Sequence, residues 1–169
     1  MSTETSTPVL QAEFGSRELR NTLGLFATGI VIMTQRLGED LAGITLNSFT
    51  SVSLDPPLIL VSLDRAARML ERLSQAPAFA ISILGPDQEV ISRHFARQKG
   101  GENPPQPLYW EAGPPFITGA TGGLDCVVEQ QIEAGDHILI LGRVRGIWQE
   151  SESQGGLLYY RGRYVEGRF

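Results

Sequence analysis

Two periods run through the apolar positions of this chain. Leu19, Leu23 and Phe26 recur at helical spacing, with Ser16 ahead of them as an N-cap and Glu18 in the first turn, where the helix dipole favours an acid. The pattern predicts a packing helix over residues 17–27, ending near Gly29. The β-branched run Ile30-Val31-Ile32-Met33-Thr34 then predicts a strand, residues 37–40 a glycine-bearing hairpin loop, and residues 41–45 the returning strand. Leu58-Ile59-Leu60-Val61-Ser62-Leu63 is short, branched and apolar, as a buried strand is. It follows a turn at Asp55-Pro56-Pro57, because proline cannot donate to a ladder and the strand has to restart after it.

Met69, Leu70 and Leu73 share one face of a helix expected over residues 65–75, capped by Asp64. Residues 78–84 alternate as a strand does, and Gly85-Pro86 ends it. Asp87 caps a further helix over 88–96, with Val90, Ile91 and Phe95 facing inward. Residues 98–107 hold Gly100-Gly101 and three prolines, the composition of a surface loop. Long strands over 124–134 and 137–148 flank a tight turn at Gly135-Asp136. In the second of them Ile138, Ile140 and Val144 fall on one side and Leu139, Leu141 and Arg143 on the other. A polar loop over 149–156, a last strand over 157–160 and a basic, aromatic tail over 161–169 complete the chain. Strands in hairpin order, without alternating helices, disfavour a doubly wound parallel sheet. They favour a closed antiparallel barrel, which leaves no edge exposed.

At 169 residues the chain fits one domain over 13–169 behind a mobile tail over 1–12. A chain of this size buries roughly 70% of its unfolded surface, and 41% hydrophobic with 20% charged residues is ordinary for a globular protein. The net charge of −5 argues against a protein that tracks nucleic-acid phosphates. The lone Cys126 excludes an internal disulfide and reads as a small buried hydrophobe. No apolar run reaches the length of a membrane span, and the N-terminus lacks a secretory pattern, so the cytoplasm is expected.

The candidate chemistry is quiet. No Gly-x-Gly-x-x-Gly, no phosphate-binding Gly-x-x-x-x-Gly-Lys-Ser/Thr and no Gly-x-Ser-x-Gly occurs, and His94 and His137 are too few for a histidine-rich metal centre. What stands out is a cluster of small hydroxyl and amide side chains, Thr45, Asn47, Ser48, Thr50, Ser51 and Ser53, just before the buried strand. Such groups donate to a phosphate or a heteroaromatic ring without adding bulk.

The whole run from Gly43 to Leu58, Gly-Ile-Thr-Leu-Asn-Ser-Phe-Thr-Ser-Val-Ser-Leu-Asp-Pro-Pro-Leu, resembles the signature of the flavin reductase family, the small partners of two-component monooxygenases. The resemblance extends over about residues 15–164 and is weakest over 98–119. It implies a mainly β split antiparallel barrel with a few short peripheral helices, paired as a homodimer. It also implies an NAD(P)H-dependent oxidoreductase that passes a hydride from NADH or NADPH to FMN or FAD and supplies reduced flavin to a partner monooxygenase. Residue by residue, Ala42, Gly43, Ile44 and Thr45 match the strand along the flavin ring, and Asn47 and Ser48 the segment around the isoalloxazine and ribityl chain. Ser62, Leu63 and Asp64 match the strand end at the phosphate, with Arg68 as its basic partner; Ser92, His94 and Phe95 match a further flavin contact. Gly135-Asp136-His137 matches the family's turn with His137 at the nicotinamide, and Tyr160, Arg161 and Arg163 match its closing segment at the dinucleotide. Two other readings use the same residues: a non-catalytic flavin- or haem-binding barrel, and a flavin-dependent reductase of a metal complex or corrinoid.

Overall fold

The computed structural model describes residues 10–96, 108–109, 113–152 and 155–168. The expected loop over 98–107 and most of the expected tail over 1–12 lie outside the described residues. In chain order the elements are α1 (Ser16–Leu23), β1 (Thr28–Gly29), β2 (Val31–Leu37), β3 (Asp40–Leu46), β4 (Thr50–Leu54) and β5 (Pro57–Asp64). They continue with α2 (Arg68–Gln75), β6 (Ala78–Ile83), α3 (Glu89–Ala96), β7 (Leu108–Tyr109), β8 (Phe116–Ile117), β9 (Gly122–Ala134), β10 (His137–Gln149), β11 (Gly156–Tyr160) and β12 (Arg163–Gly167).

Seven strands form one antiparallel sheet in the order β3-β2-β6-β9-β10-β5-β4, and β1-β11-β12 form a second. Strands β3 and β4 are the two ends of the large sheet and do not pair with each other, so the barrel is split where pattern alone favoured a closed one. Every strand pair among the described residues is antiparallel, and a tight hairpin joins β4 to β5, where Leu54 pairs Pro57 across Asp55-Pro56.

Two apolar clusters explain why β2 reads as an unbroken apolar run. Val31 and Met33 point into one cluster with Val61, Leu63, Phe79 and Ile140. Ile30 and Ile32 face the other, with Leu84, Ile91, Phe95 and Leu157. A strand covered on both faces loses its polar alternation. The long strands β9 and β10 bring Cys126 and Ile140 to the first cluster; burial pushes the Cys126 thiol up to about 12. Gly142 is required on β10, since a Cβ there would lie 2.6 Å from Phe79 Cζ.

The two sheets are joined by a ring of three backbone hydrogen bonds. Ile30 N–H donates to Leu157 O at 3.0 Å, Leu157 N–H to Leu84 O at 3.0 Å, and Leu84 N–H to Ile30 O at 3.1 Å. All three residues are buried.

Several expectations need correction. The helix expected over 17–27 ends at Leu23 and buries none of its residues; its end is tied to the chain by Arg161 N–H donating to Gly24 O at 2.8 Å. Its cap is Gly15 rather than Ser16, and Glu18 Oε2 accepts from Gly15 N–H at 3.0 Å. The helix expected from residue 65 starts at Arg68, because Asp64 Oδ1 takes Ala66 N–H at 2.7 Å and holds 64–67 in a turn. Val90, expected inward, is exposed, while Ile91 and Phe95 are buried. The tail over 161–169 is not a free tail: Arg163–Gly167 turns back and pairs with β11. Among the described residues no helix is long and apolar enough to cross a membrane.

Truncating Leu157→Ala removes apolar contact beside the ring that joins the sheets. It is expected to cost about 2–5 kcal/mol, read as a lowered urea midpoint with unchanged slope.

Candidate functional site

A cleft of about 390 Å³ opens between β3 and α2 and is closed at one end by Phe95 and Ala96 of α3. Its walls follow from local sequence. On α2 the residues Arg68, Glu71, Arg72 and Gln75 line it, at spacings of three and four that put them on one helix face. Leu73 is buried in the core, and the buried Met69 reaches both the core and the floor of the cleft. On β3 the small residues Ala42 and Gly43 and the half-buried Ile44 form the opposing wall. The absence of a side chain at Gly43 admits the Phe95 ring, whose Cε1 would lie 2.7 Å from a Cβ.

The charges in this cleft are unequally engaged. Arg72 bonds Asp40 Oδ2 at 2.5 Å, Asp40 O at 2.9 Å and Gln35 Oε1 at 3.0 Å. Arg68 is exposed and forms no ion pair with any described residue. A cleft of a few hundred Å³ with small walls and one free guanidinium suits an elongated ligand carrying a phosphate.

Five of the residues expected at a flavin, Ala42, Gly43, Ile44, Arg68 and Phe95, line this one cleft. Others brace it. Thr45 donates its hydroxyl to Ser92 O at 2.7 Å, and the fully buried Ser92 donates to Tyr164 OH at 3.0 Å. That chain links β3, α3 and β12, so the Ser92 side chain is engaged within the fold. Ser48 Oγ accepts from Ser62 N–H and donates to Ser62 O, both at 3.0 Å, which fastens the β3–β4 link to β5. Neither Asn47, which is exposed, nor Ser48 lines the cleft. The Leu63 side chain is core, and the Asp64 carboxylate is engaged by its own turn. His94 is half-buried with its ring edge-on to Phe95 at 5.0 Å.

His137 opens β10 directly opposite Asp64, the last residue before the turn into α2. Its Nδ1 lies 2.7 Å from Asp136 Oδ1, which engages that ring nitrogen, and His137 itself does not line the β3–α2 cleft. The same bond, with the charge of His137, holds the Asp136 carboxyl below the usual carboxylate range. Arg65 fixes the turn: its Nε donates to Gly135 O at 2.8 Å, its Nη2 to Glu133 at 3.1 Å, and its backbone N–H to Asp136 O at 3.1 Å.

Tyr160, Arg161 and Arg163 sit apart from this cleft, at the β11–β12 hairpin. Arg161 takes φ +49° there, its guanidinium is 5.5 Å from the Tyr160 ring centre, and it shares a second cleft of about 330 Å³ with Arg20 and Gly24. Sequence reasoning missed Glu71, Arg72, Gln75 and Asp40 in the main cleft. The signal was present for three of them, since Arg68 is followed at helical spacing by one polar face.

Comparison with known proteins gives a consistent result. A family model described as "Flavin reductase like domain" matches residues 23–168. An NADH-dependent flavin reductase of Rhodococcus sp is 40% identical over 92% of this chain and 88% of its own. A probable flavin reductase of Rhizobium meliloti is 39% identical over 92% of this chain, which spans half the length of that protein. Among solved structures, the styrene monooxygenase flavin reductase of Pseudomonas putida S12 superposes with a TM-score of 0.79 at 38% identity, over 87% of this chain and 95% of that one.

Gly43→Ala pushes a methyl into the Phe95 ring. It is expected to destabilise by about 1–3 kcal/mol in thermal or urea denaturation, and adding Phe95→Leu is expected to recover part of the loss.

Proposed function

This chain belongs to the flavin reductase family, and from that premise we infer that it passes a hydride from NADH to a flavin, FMN or FAD. The observation that carries the reading within this structure is the β3–α2 cleft, whose small-residue wall faces the unpaired Arg68. When bound, the nicotinamide supplies the hydride and the flavin accepts it together with a proton. The chain's own part is to hold and orient. Ala42, Gly43 and Ile44 offer a flat, thin wall for a ring. Arg68 offers a guanidinium to a phosphate. His137, fixed through Nδ1 by Asp136, presents Nε2 where a donor steadies charge developing on the rings. Tyr160, Arg161 and Arg163 offer an aromatic and two cations to the dinucleotide beyond.

The flavin leaves reduced, and its chemical sense is delivery to an oxygenase that uses it. We assign this chain as the reductase component of a two-component monooxygenase, with residues 13–169 as its one working domain and the NADH-containing cytoplasm as its place. It works as a homodimer through α1. Leu10, Phe14, Leu19, Leu23, Leu25 and Phe26 stand between 44% and 93% exposed around a helix that buries nothing. An isolated helix of this length is unstable in water. A stable interface buries about 800 Å² per partner, much of which these six side chains supply from each copy.

Loss of nicotinamide absorbance on mixing protein, NADH and FMN or FAD tests the reaction; no turnover with either flavin overturns it. His137→Ala is expected to lower kcat by about tenfold or more while flavin affinity stays within about threefold of wild type. Leu23→Glu with Phe26→Asp is expected to convert a dimer to a monomer in sedimentation velocity; an unchanged sedimentation coefficient rejects α1 as the interface.

A further inference from the structure

Resting on the flavin reductase reading, we propose that Arg72 is a positioning residue: its bridge from α2 to β3 sets the gap across which Arg68 and the Ala42–Ile44 wall hold the flavin. The bridge joins the two walls of the cleft directly. The Arg72 side chain is 14% exposed, and three of its N–H groups are spent on the β2–β3 hairpin. Two reach Asp40, the first residue of β3, through its carboxylate and its carbonyl. The third reaches Gln35 of β2, which is wholly buried. Gln35 in turn donates its amide to Ala76 O at 3.2 Å, at the C-cap of α2. The C-terminal half of α2 is thus fastened at two points, one on the exposed Asp40 and one on the buried Gln35.

Arg68 lies one helical turn earlier, about 6 Å along the axis and on the same face. Its guanidinium forms no ion pair among the described residues, so its place in the cleft follows from where α2 lies. The pair with Asp40 also cancels the charge of Arg72 and leaves Arg68 as the cleft cation open to an anion. A lysine in place of Arg72 keeps the charge but cannot span three acceptors in one plane.

The test uses the purified full chain. Arg72→Lys is compared with wild type for FMN and FAD dissociation constants from flavin fluorescence, for KM of flavin and of NADH, and for thermal midpoint. The variant is expected to weaken flavin binding by about tenfold or more and to raise the flavin KM in parallel, because small displacements of a binding group are costly. The NADH KM and kcat are expected to stay within about twofold. Flavin affinity within about twofold of wild type in the folded variant overturns the proposal, as does a rise in both KM values together with the thermal loss. Should Arg72→Lys fail to fold, Asp40→Ala, at an exposed position, removes the charged half of the bridge and is judged by the same split. A wild-type protein that neither binds flavin nor oxidises NADH removes the functional reading itself; a wild type that does both, beside unaffected variants, removes only the role of Arg72.

Discussion

The architecture depends on the closed ring of backbone hydrogen bonds among Ile30, Leu84 and Leu157. Ile30 lies between β1 and β2, Leu84 follows β6, and Leu157 is the second residue of β11; all three are buried, where an unpaired N–H or C=O would be cut off from water. The ring satisfies all three donors with all three acceptors and so allows the large sheet to hand over to the small one inside an apolar cluster. Ile91 and Phe95 bring α3 into the same cluster, and there Phe95 meets Gly43.

From that junction the cleft is reached in two steps. Tyr164 of β12 receives the Ser92 hydroxyl, and Ser92 O receives that of Thr45, so the small sheet holds α3 against β3. Arg93, next in α3, places its guanidinium 4.7 Å from the Tyr164 ring centre and adds a cation–π contact on the solvent side. The far wall is held independently, by Arg72 on the β2–β3 hairpin. Between them, the segment from Asp64 to Arg72 also carries Arg65, which grips the turn ahead of His137. One short stretch after β5 therefore governs both the cleft wall and the placement of the histidine. The polar side chains that look most available in sequence, such as Ser92 and Ser48, are the ones already engaged within the fold.

The strands, the hairpin order and the tight turn at Gly135-Asp136 were legible because period, β-branching and turn residues are local properties. The Gly43–Leu58 run was legible as a family signature, and with it the wall of the cleft. The boundaries of α1 and α2 were not: an aspartate can cap a helix or close a turn with the same carboxylate, and Asp64 does the latter. The basic stretch after Tyr160 looked like a tail because nothing local announces that residues 163–167 will find β11.

What the sequence determined by itself was the kind of surface each segment can offer: a thin wall at Ala42-Gly43, hydroxyls around Thr45 and Ser48, a cationic face on α2, an apolar face on α1. Which of those groups remain free to meet a ligand was decided only in three dimensions. Arg68 and Arg72 are the same residue type on the same helix face, yet Asp40, thirty-two positions from Arg72 in the chain, takes one and leaves the other. Hydrogen bonds and ion pairs consume donors on a first-come geometric basis, and that geometry exists only once distant strands have been brought together.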